Sequence, residues 1–258
     1  MKLSSYPIIF NREVLPGTYL LWLEAPDIAT QARPGQFAML RCGEDTQRTL
    51  RRPLSIHSVE GRRAAFYYRV VGKGTEWLAR RVEGDMLDVF GPLGNGFSIA
   101  KNARSLLLVA GGLGIAPLRF LAERSAAQGQ QVVLLHGMKT ASELYPLELR
   151  PAGVRFVAAT EDGTLGEKGM VTALVPRLAA QADQAFACGP EAMYRALARD
   201  KTALPPGLKV QISLEVRLGC GVGACLGCTV STRSGPRHVC HDGPVFDLDE
   251  VAWESMSG

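Results

Sequence analysis

Two rhythms of apolar and polar residues divide the chain. Over residues 1 to about 100, short stretches such as "YLLWLEA", "QFAMLRC", "AAFYYRVV" and "DMLDVF" alternate, with Pro and Gly turns between them. Side chains on a strand point to opposite faces in turn, so this period predicts short antiparallel strands, closed as a barrel or stacked as a sandwich. From about residue 104 the rhythm changes. "SLLLVAGG", "QVVLLHGMK", "VRFVAATED" and "QAFACGP" are compact apolar runs and read as buried strands. Between them, "APLRFLAERSAAQG", "MVTALVPRLAAQ" and "EAMYRALARD" carry helical spacing. Gly129 ends the first, and Pro176 interrupts the second. Strands interleaved with helices predict a parallel sheet of βαβ units, whose ligands bind at the carboxyl ends of the strands.

Two loops sit at such ends. "AGGLGIAP" (110–117) nearly matches a dinucleotide fingerprint, but Gly112-x-Gly114 is followed by Pro117 where a third glycine belongs. A side chain at 114 is expected to block close backbone approach to a dinucleotide. The plain alternative is an ordinary βα turn. The second loop, Cys188-Gly189-Pro190, puts a thiol at another strand end, or else a small buried core residue. In the front half, "RRPLSIHS" (51–58) offers an arginine, a proline-fixed turn and a hydroxyl, suited to a phosphate and a flat ring. The alternative for Arg52 is a solvated charge. "GKGT" (72–75) opens the helix "TEWLARRV", where backbone N–H groups suit an anion such as pyrophosphate. The alternative there is a turn with Thr75 as helix cap. "GPLGNGF" (91–97) reads as a linker. No internal repeat or low-complexity tract occurs.

The densest chemistry is "GCGVGACLGC" at 219–228. With a later cysteine it gives Cys220-x4-Cys225-x2-Cys228-x11-Cys240. The first three match the plant-type iron–sulfur spacing, followed by a distant fourth ligand. A 2Fe–2S rhomb needs two thiolates per iron, and a short loop can wrap one side of it. The interspersed glycines permit φ > 0 and bring amide N–H groups near sulfur. The alternatives are a zinc knuckle or unligated thiols; a structural zinc site usually shows two C-x2-C pairs, and only Cys225 and Cys228 make one. Cys42 and Cys188 stand apart from this spacing.

Composition adds bounds. The 258 residues are 47% hydrophobic and 21% charged, enough for a sizeable core without disulfides. A net charge of +4 with scattered basic residues argues against a nucleic-acid partner; the densest basic spot is Arg48, Arg51 and Arg52. The longest apolar stretch, "SLLLVAGGLGIAPL", is glycine-broken and too short for a bilayer, and "MKLSSYPIIF" lacks a signal-peptide core. A cytoplasmic protein without membrane contact is expected. In a reducing compartment, clustered thiols more often bind metal or do redox work than form disulfides. No Ser-His-Asp set or acid/base carboxylate pair stands out. His57, His136, His238 and His241 are expected to be structural, although the last two flank Cys240 and are placed to tune a cluster.

The order "RPLS", "GKGT", "GPLGNGF", "GGLGIAP", "CGP" resembles the ferredoxin–NADP reductase superfamily. The short tail "LEVRLGCGVGACLGCTV…CHDGPVF" is similar to electron-transfer subunits of class 1B dihydroorotate dehydrogenase. The resemblance implies an antiparallel FAD-binding β-barrel (1–100), a parallel-sheet NAD(H)-binding α/β domain (101–212) and a small 2Fe–2S domain (213–258). It implies that FAD meets Arg52, Pro53, Leu54, Ser55, Arg69, Val70, Val71, Gly74 and Thr75, with Leu54 standing where the family usually has a stacking Tyr. It places the nicotinamide at Gly112, Gly114, Pro117, Cys188, Gly189 and Pro190, and the cluster on Cys220, Cys225, Cys228 and Cys240. The implied partner is an FMN-containing dihydroorotate dehydrogenase catalytic subunit, two copies of each chain, in pyrimidine biosynthesis. "HGMKTASELY" shows no clear acid for a ribose diol, and Lys139 could face a 2′-phosphate, so NADH rests on the family alone. Other complexes with the same parts, a sulfhydrogenase or a transhydrogenase-type ferredoxin reductase, stay open, as does a zinc-stabilised binding module.

Overall fold

A computed structural model describes residues 1–43 and 50–255; Arg48 lies outside the described residues. The front half is a closed six-stranded barrel. Its strands are β1 (Lys2–Leu15), β2 (Thr18–Glu24), β3 (Phe37–Leu40), β4 (Arg52–Glu60), β5 (Arg63–Arg69) and β6 (Met86–Leu93). They pair antiparallel in the order β1-β2-β5-β4-β3-β6. β1 closes the ring by pairing with both β2 and β6. Two short helices join the strands, α1 (Pro26–Gln31) and α2 (Lys73–Ala79). Leu21, Leu23, Ala38, Leu40, Ile56, Phe66 and Val89 are fully buried and fill the barrel. Each buried Leu or Phe contributes roughly 1.5–3 kcal/mol by leaving water.

The second body is a seven-stranded sheet. It comprises β7 (Ser105–Gly111), β8 (Gln131–Met138), β9 (Val154–Thr160), β10 (Glu167–Lys168), β11 (Gln184–Cys188), β12 (Lys209–Ser213) and, from the tail, β15 (Val245–Asp247). The order is β10-β9-β8-β7-β11-β12-β15. All neighbours are parallel except β12 and β15. The helices are α3 (Ile115–Ala127), α4 (Val175–Ala179) and α5 (Glu191–Arg199). The expected second helix is in fact a 3-10 turn, Val171–Leu174, running into α4. Pro176 lies in the first turn of α4, where its missing N–H has no helical partner to lose.

Strand order reverses at β7. The chain steps from β7 outward to β8, then returns to place β11 on the other side, which makes the ends of β7 and β11 the switch point at which sheets of this kind have their ligand crevice. The ends are level there, with Cys188 opposite Ala110 on one side and Ser213 on the other.

The tail adds a hairpin, β13 (Thr229–Thr232) and β14 (Gly235–His238), before β15. "GPLGNGF" proves to be a junction rather than a simple linker: Gly91 to Leu93 still belong to β6. Asn95 then donates through Nδ2 to the carbonyls of His241 (3.2 Å) and Asp242 (3.0 Å), and through its backbone to Gly243 O (2.6 Å). Barrel, sheet and cysteine tail meet at this segment. No helix among the described residues is long and apolar enough to cross a membrane.

Candidate functional site

The arginine motif lies along β4, with Arg52, Pro53, Leu54 and Ser55 all half-buried. The Arg52 side chain runs across the first turn of α2: a Cβ at Gly74 would stand 2.8 Å from Arg52 Nε. Glycine at 74 therefore lets the guanidinium approach that turn. Arg52 Nη1 also donates to Leu50 O at 2.8 Å. Thr75 is occupied within its own loop. Its hydroxyl accepts from the N–H of Val71 (2.9 Å) and Gly72 (3.3 Å) and donates to Gly72 O (3.0 Å). It shapes the turn and leaves backbone amides and Arg52 as the groups suited to a phosphate. Val70 donates to Gly17 O at 2.8 Å, and Val71 is exposed. Arg69 reaches toward Glu143 of the sheet domain at 3.9 Å.

At the crevice, the loops after β7 and β11 interlock. A Cβ at Gly114 would collide with the carbonyl oxygen of Cys188 and stand 2.8 Å from Gly189 N. A Cβ at Gly111 would stand 2.9 Å from both Met193 Sδ and Pro190 Cδ. The requirement for glycine at 114 thus comes first from the partner loop, not from a ligand. Gly112 differs: its φ is +57° and nothing lies within 4 Å of a built Cβ, so it faces open space. Its carbonyl accepts from His136 Nε2 at 3.0 Å. Pro117 is buried in the first turn of α3.

Cys188 is buried at the crevice floor, 3.6 Å from Ser213 O and 3.7 Å from Glu215 Oε1. Burial, then the Glu215 charge, pushes its thiol well above the usual range, so it stays protonated. Glu215 keeps an exposed side chain while crowded by protein on its other sides, and that desolvation pushes its carboxyl up. Tyr194 fixes the loop by accepting from Gly189 N (2.9 Å) and donating to Ser213 O (2.6 Å).

The four tail cysteines stand as two pairs. Cys228 Sγ lies 3.4 Å from Cys240 Sγ, and both are buried. Cys220 is half-buried and Cys225 exposed, with the Cys225 N–H donating to Cys220 Sγ at 3.4 Å. Amides aim at the sulfurs: Val222 N to Cys220 (3.4 Å), Gly223 N to Cys240 (3.1 Å), Cys240 N to Cys228 (3.5 Å). At Cys220, burial opposes ionisation, but the N–H groups of Val222 and Cys225 outweigh it and bring the thiol down to about 6. Among the described residues, no set of three or more His, Cys, Asp or Glu converges as a ready single-ion site. Two thiol pairs with amide support suit two bridged irons better than one tetrahedral zinc. His238 Nδ1 pairs with Thr229 Oγ1 at 3.0 Å, and His241 Nδ1 with Asp242 at 3.0 Å. Cys42 is buried in the barrel, its thiol pushed up to about 11 by burial.

The cysteine loop lies on the barrel. A Cβ at Gly221 would stand 2.9 Å from Met39 Cγ and 3.2 Å from Leu93 Cδ1. Met39 is opposite Pro53 in the β3–β4 pairing, and Phe37 opposite Ser55. One strand therefore separates the cysteine loop from the arginine motif.

Residues 215–252 match the iron–sulfur cluster binding domain of dihydroorotate dehydrogenase B, and residues 108–199 match the oxidoreductase NAD-binding domain. The dihydroorotate dehydrogenase B (NAD(+)) electron transfer subunit of Bacillus cereus (strain Q1) is 38% identical over 97% of this chain and 99% of its own. The corresponding subunit of Bacillus anthracis (strain CDC 684 / NRRL 3495) is equally similar, with the same coverage. The chain belongs to this family of electron transfer subunits. Among solved structures, an NADH-dependent reduced ferredoxin-NADP oxidoreductase superposes with a TM-score of 0.87 at 29% identity, covering 97% of this chain and 91% of the other. A ferredoxin NADP+ reductase from Neisseria gonorrhoeae shares the fold at a TM-score of 0.64 and 18% identity, over 79% of this chain and 92% of the other.

Sequence reasoning passed over several residues that the fold packs beside these motifs. Glu215 stands within "LEVRLGC", and no spacing rule ties it to Cys188; only the β11–β12 register does. Met39 sits inside an ordinary apolar strand. Tyr145 lies in a loop, and its contact with His57 spans 88 positions.

Proposed function

We propose that this chain passes electrons from an FMN-containing dihydroorotate dehydrogenase catalytic subunit to NAD+, with two copies of each chain in the complex. The observation that carries the proposal is the layering from Cys220 and Gly221 through Met39 to the arginine motif, next to a strand-end crevice. This layering supports a reading in which a cluster site, a flavin site and a dinucleotide site follow in sequence. When bound, the cluster exchanges single electrons, and the flavin converts these to two-electron hydride exchange.

In this reading the chain's own residues bind and orient. Arg52 and the first-turn amides of α2 hold the flavin pyrophosphate, and Ser55 faces the ring. Pro53, Leu54 and Arg69 to Val71 border the ring. Gly112 admits the dinucleotide, while Pro117, Cys188, Gly189 and Pro190 wall the nicotinamide. Cys188 packs as a neutral thiol and forms no covalent bond to substrate. Cys220 and Cys225 would hold one iron of the cluster, and Cys228 and Cys240 the other. Two electrons and two protons leave dihydroorotate as it becomes orotate. NAD+ takes up both electrons with one proton, and the other proton goes to solvent.

The test is reconstitution. Mixed with the FMN-containing catalytic subunit, the purified chain should form a complex that reduces NAD+ with dihydroorotate. A complex that reduces NAD+ only with hydrogen, or with reduced ferredoxin, would move the chain to another of the complexes that share its parts.

A further inference from the structure

One buried histidine joins the strand of the arginine motif to the helix of the dinucleotide loop. His57 lies on β4 two residues beyond Ser55, and Ala116 lies on α3 one residue before Pro117. His57 is 1% exposed. Its Nδ1 is 2.9 Å from Ala116 O, and its Nε2 is 2.8 Å from the Tyr145 hydroxyl. A carbonyl only accepts, so Nδ1 carries the proton. Burial, aided by Arg119, pulls the imidazole down to about 3, so the ring is neutral and Nε2 accepts from Tyr145. Leu149 O, 3.2 Å from the same hydroxyl, stays satisfied by Arg119 Nε at 3.1 Å.

The rest of the seam is built around that ring. Tyr67 of β5 stacks on the imidazole at 5.2 Å and 22°, and Tyr145 meets Tyr67 edge-on at 5.3 Å. Ser58 donates to Glu123 Oε2 at 2.8 Å, which also accepts from Arg119 Nη1 at 2.9 Å. An apolar seam would hold two domains together equally well but would let them slide. Directional bonds to a buried, stacked ring fix one orientation.

We infer that His57, held by Tyr145, is a positioning residue for hydride transfer, fixing the flavin-bearing strand at one orientation against the nicotinamide-bearing loop. The inference rests on the reading above that residues 52–55 and 112–117 hold those two groups. Hydride transfer moves two electrons and one proton between nicotinamide and flavin in one step. It needs the reacting atoms within about 3–3.5 Å, and a misplacement of about 1 Å costs on the order of a hundredfold. His57 touches neither group in this account and acts through Ala116.

The experiment is stopped-flow reduction of bound FAD by NADH in the full chain, at saturating NADH, for wild type, His57→Ala, His57→Asn and Tyr145→Phe. FAD content, iron content and NADH affinity are measured alongside. His57→Ala should lower the limiting rate about 10- to 100-fold, while FAD and iron stay at wild-type occupancy and NADH affinity moves less than about threefold. Asn can still donate an N–H toward Ala116 O, so His57→Asn should recover most of the rate. Tyr145→Phe should give a smaller slowing and covers the case in which the alanine variant fails to fold. A limiting rate within about twofold of wild type in both His57→Ala and Tyr145→Phe overturns the inference, even if both variants melt earlier. Full FAD retention in Arg52→Ala, or no reduction of wild type by NADH, overturns the underlying reading instead.

Discussion

Gly221 of the cysteine loop lies against Met39 of the barrel. A Cβ there would stand 2.9 Å from Met39 Cγ, on a backbone already at φ +78°. Glycine is therefore required twice, for the conformation and for the contact. Gly221→Val should cost about 1 kcal/mol for the left-handed backbone and about 1–3 kcal/mol more for overpacking. The expected outcome is a lower iron-to-flavin ratio and slower cluster reduction by NADH, with dye reduction through FAD retained. Unchanged iron content and unchanged cluster reduction would mean that this contact does not seat the loop.

The two loop glycines at the crevice should separate cleanly. Gly112→Ala meets open space and pays only for φ +57°, about 1 kcal/mol of stability. Gly114→Ala drives a methyl into the Cys188 carbonyl and should displace the whole 188–190 loop. Denaturation midpoints should drop for the second and shift little for the first, whose methyl instead enters the space that admits the dinucleotide and weakens NADH binding. For the second, NADH affinity should fall at least tenfold while FAD remains bound.

Arg52→Ala should purify with substoichiometric FAD. Losing a charge-assisted hydrogen bond costs about 1.5–3 kcal/mol, roughly ten- to a hundredfold in affinity. Flavin retention during dialysis at low free FAD reads this directly. Thr75→Val should weaken FAD through loop geometry, since its hydroxyl bonds only within residues 71–75.

Two buried neutral histidines set an acid limit. Burial lowers His57 to about 3 and His136 to about 4, against an unfolded value near 6.5. Below pH 6.5 the unfolded chain binds protons that the folded chain refuses. Their stabilising contribution is therefore complete above pH 6.5 and falls as pH drops toward 3 to 4. The slope approaches about 1.4 kcal/mol per pH unit for each histidine. Unfolding midpoints followed by flavin fluorescence from pH 7.5 to 5 should fall, and His136→Asn should flatten the slope.

Much of this organisation is legible in the residues. The period-two runs and the βαβ pattern carry barrel and sheet because local side-chain direction sets both. The cysteine spacing carries the cluster tail, a resemblance that the family match over residues 215–252 bears out. What is not legible depends on distant contacts. β15 reads as part of the tail, yet it pairs with β12 of the sheet. Gly114 looks like a ligand-facing glycine because the fingerprint says so; its collision partner, Cys188, is 74 positions away. β1 closes the barrel, but its alternation is diluted by polar and charged residues along "KLSSYPIIFNREVL".

Cys220, Cys225, Cys228 and Cys240 are proposed to hold a cluster through which electrons reach FAD from the partner. Cys225→Ser tests this assignment, because Cys225 is exposed and its sulfur packs near Gly219 and Gly227 rather than in the core. Two quantities are measured together: iron per FAD with NADH-to-dye activity in the lone chain, and dihydroorotate-to-NAD+ activity in the reconstituted complex. Iron should fall sharply, dye reduction should persist, and complex activity should be lost. Unchanged iron would contradict the ligand assignment, and lost iron with surviving complex activity would contradict the relay.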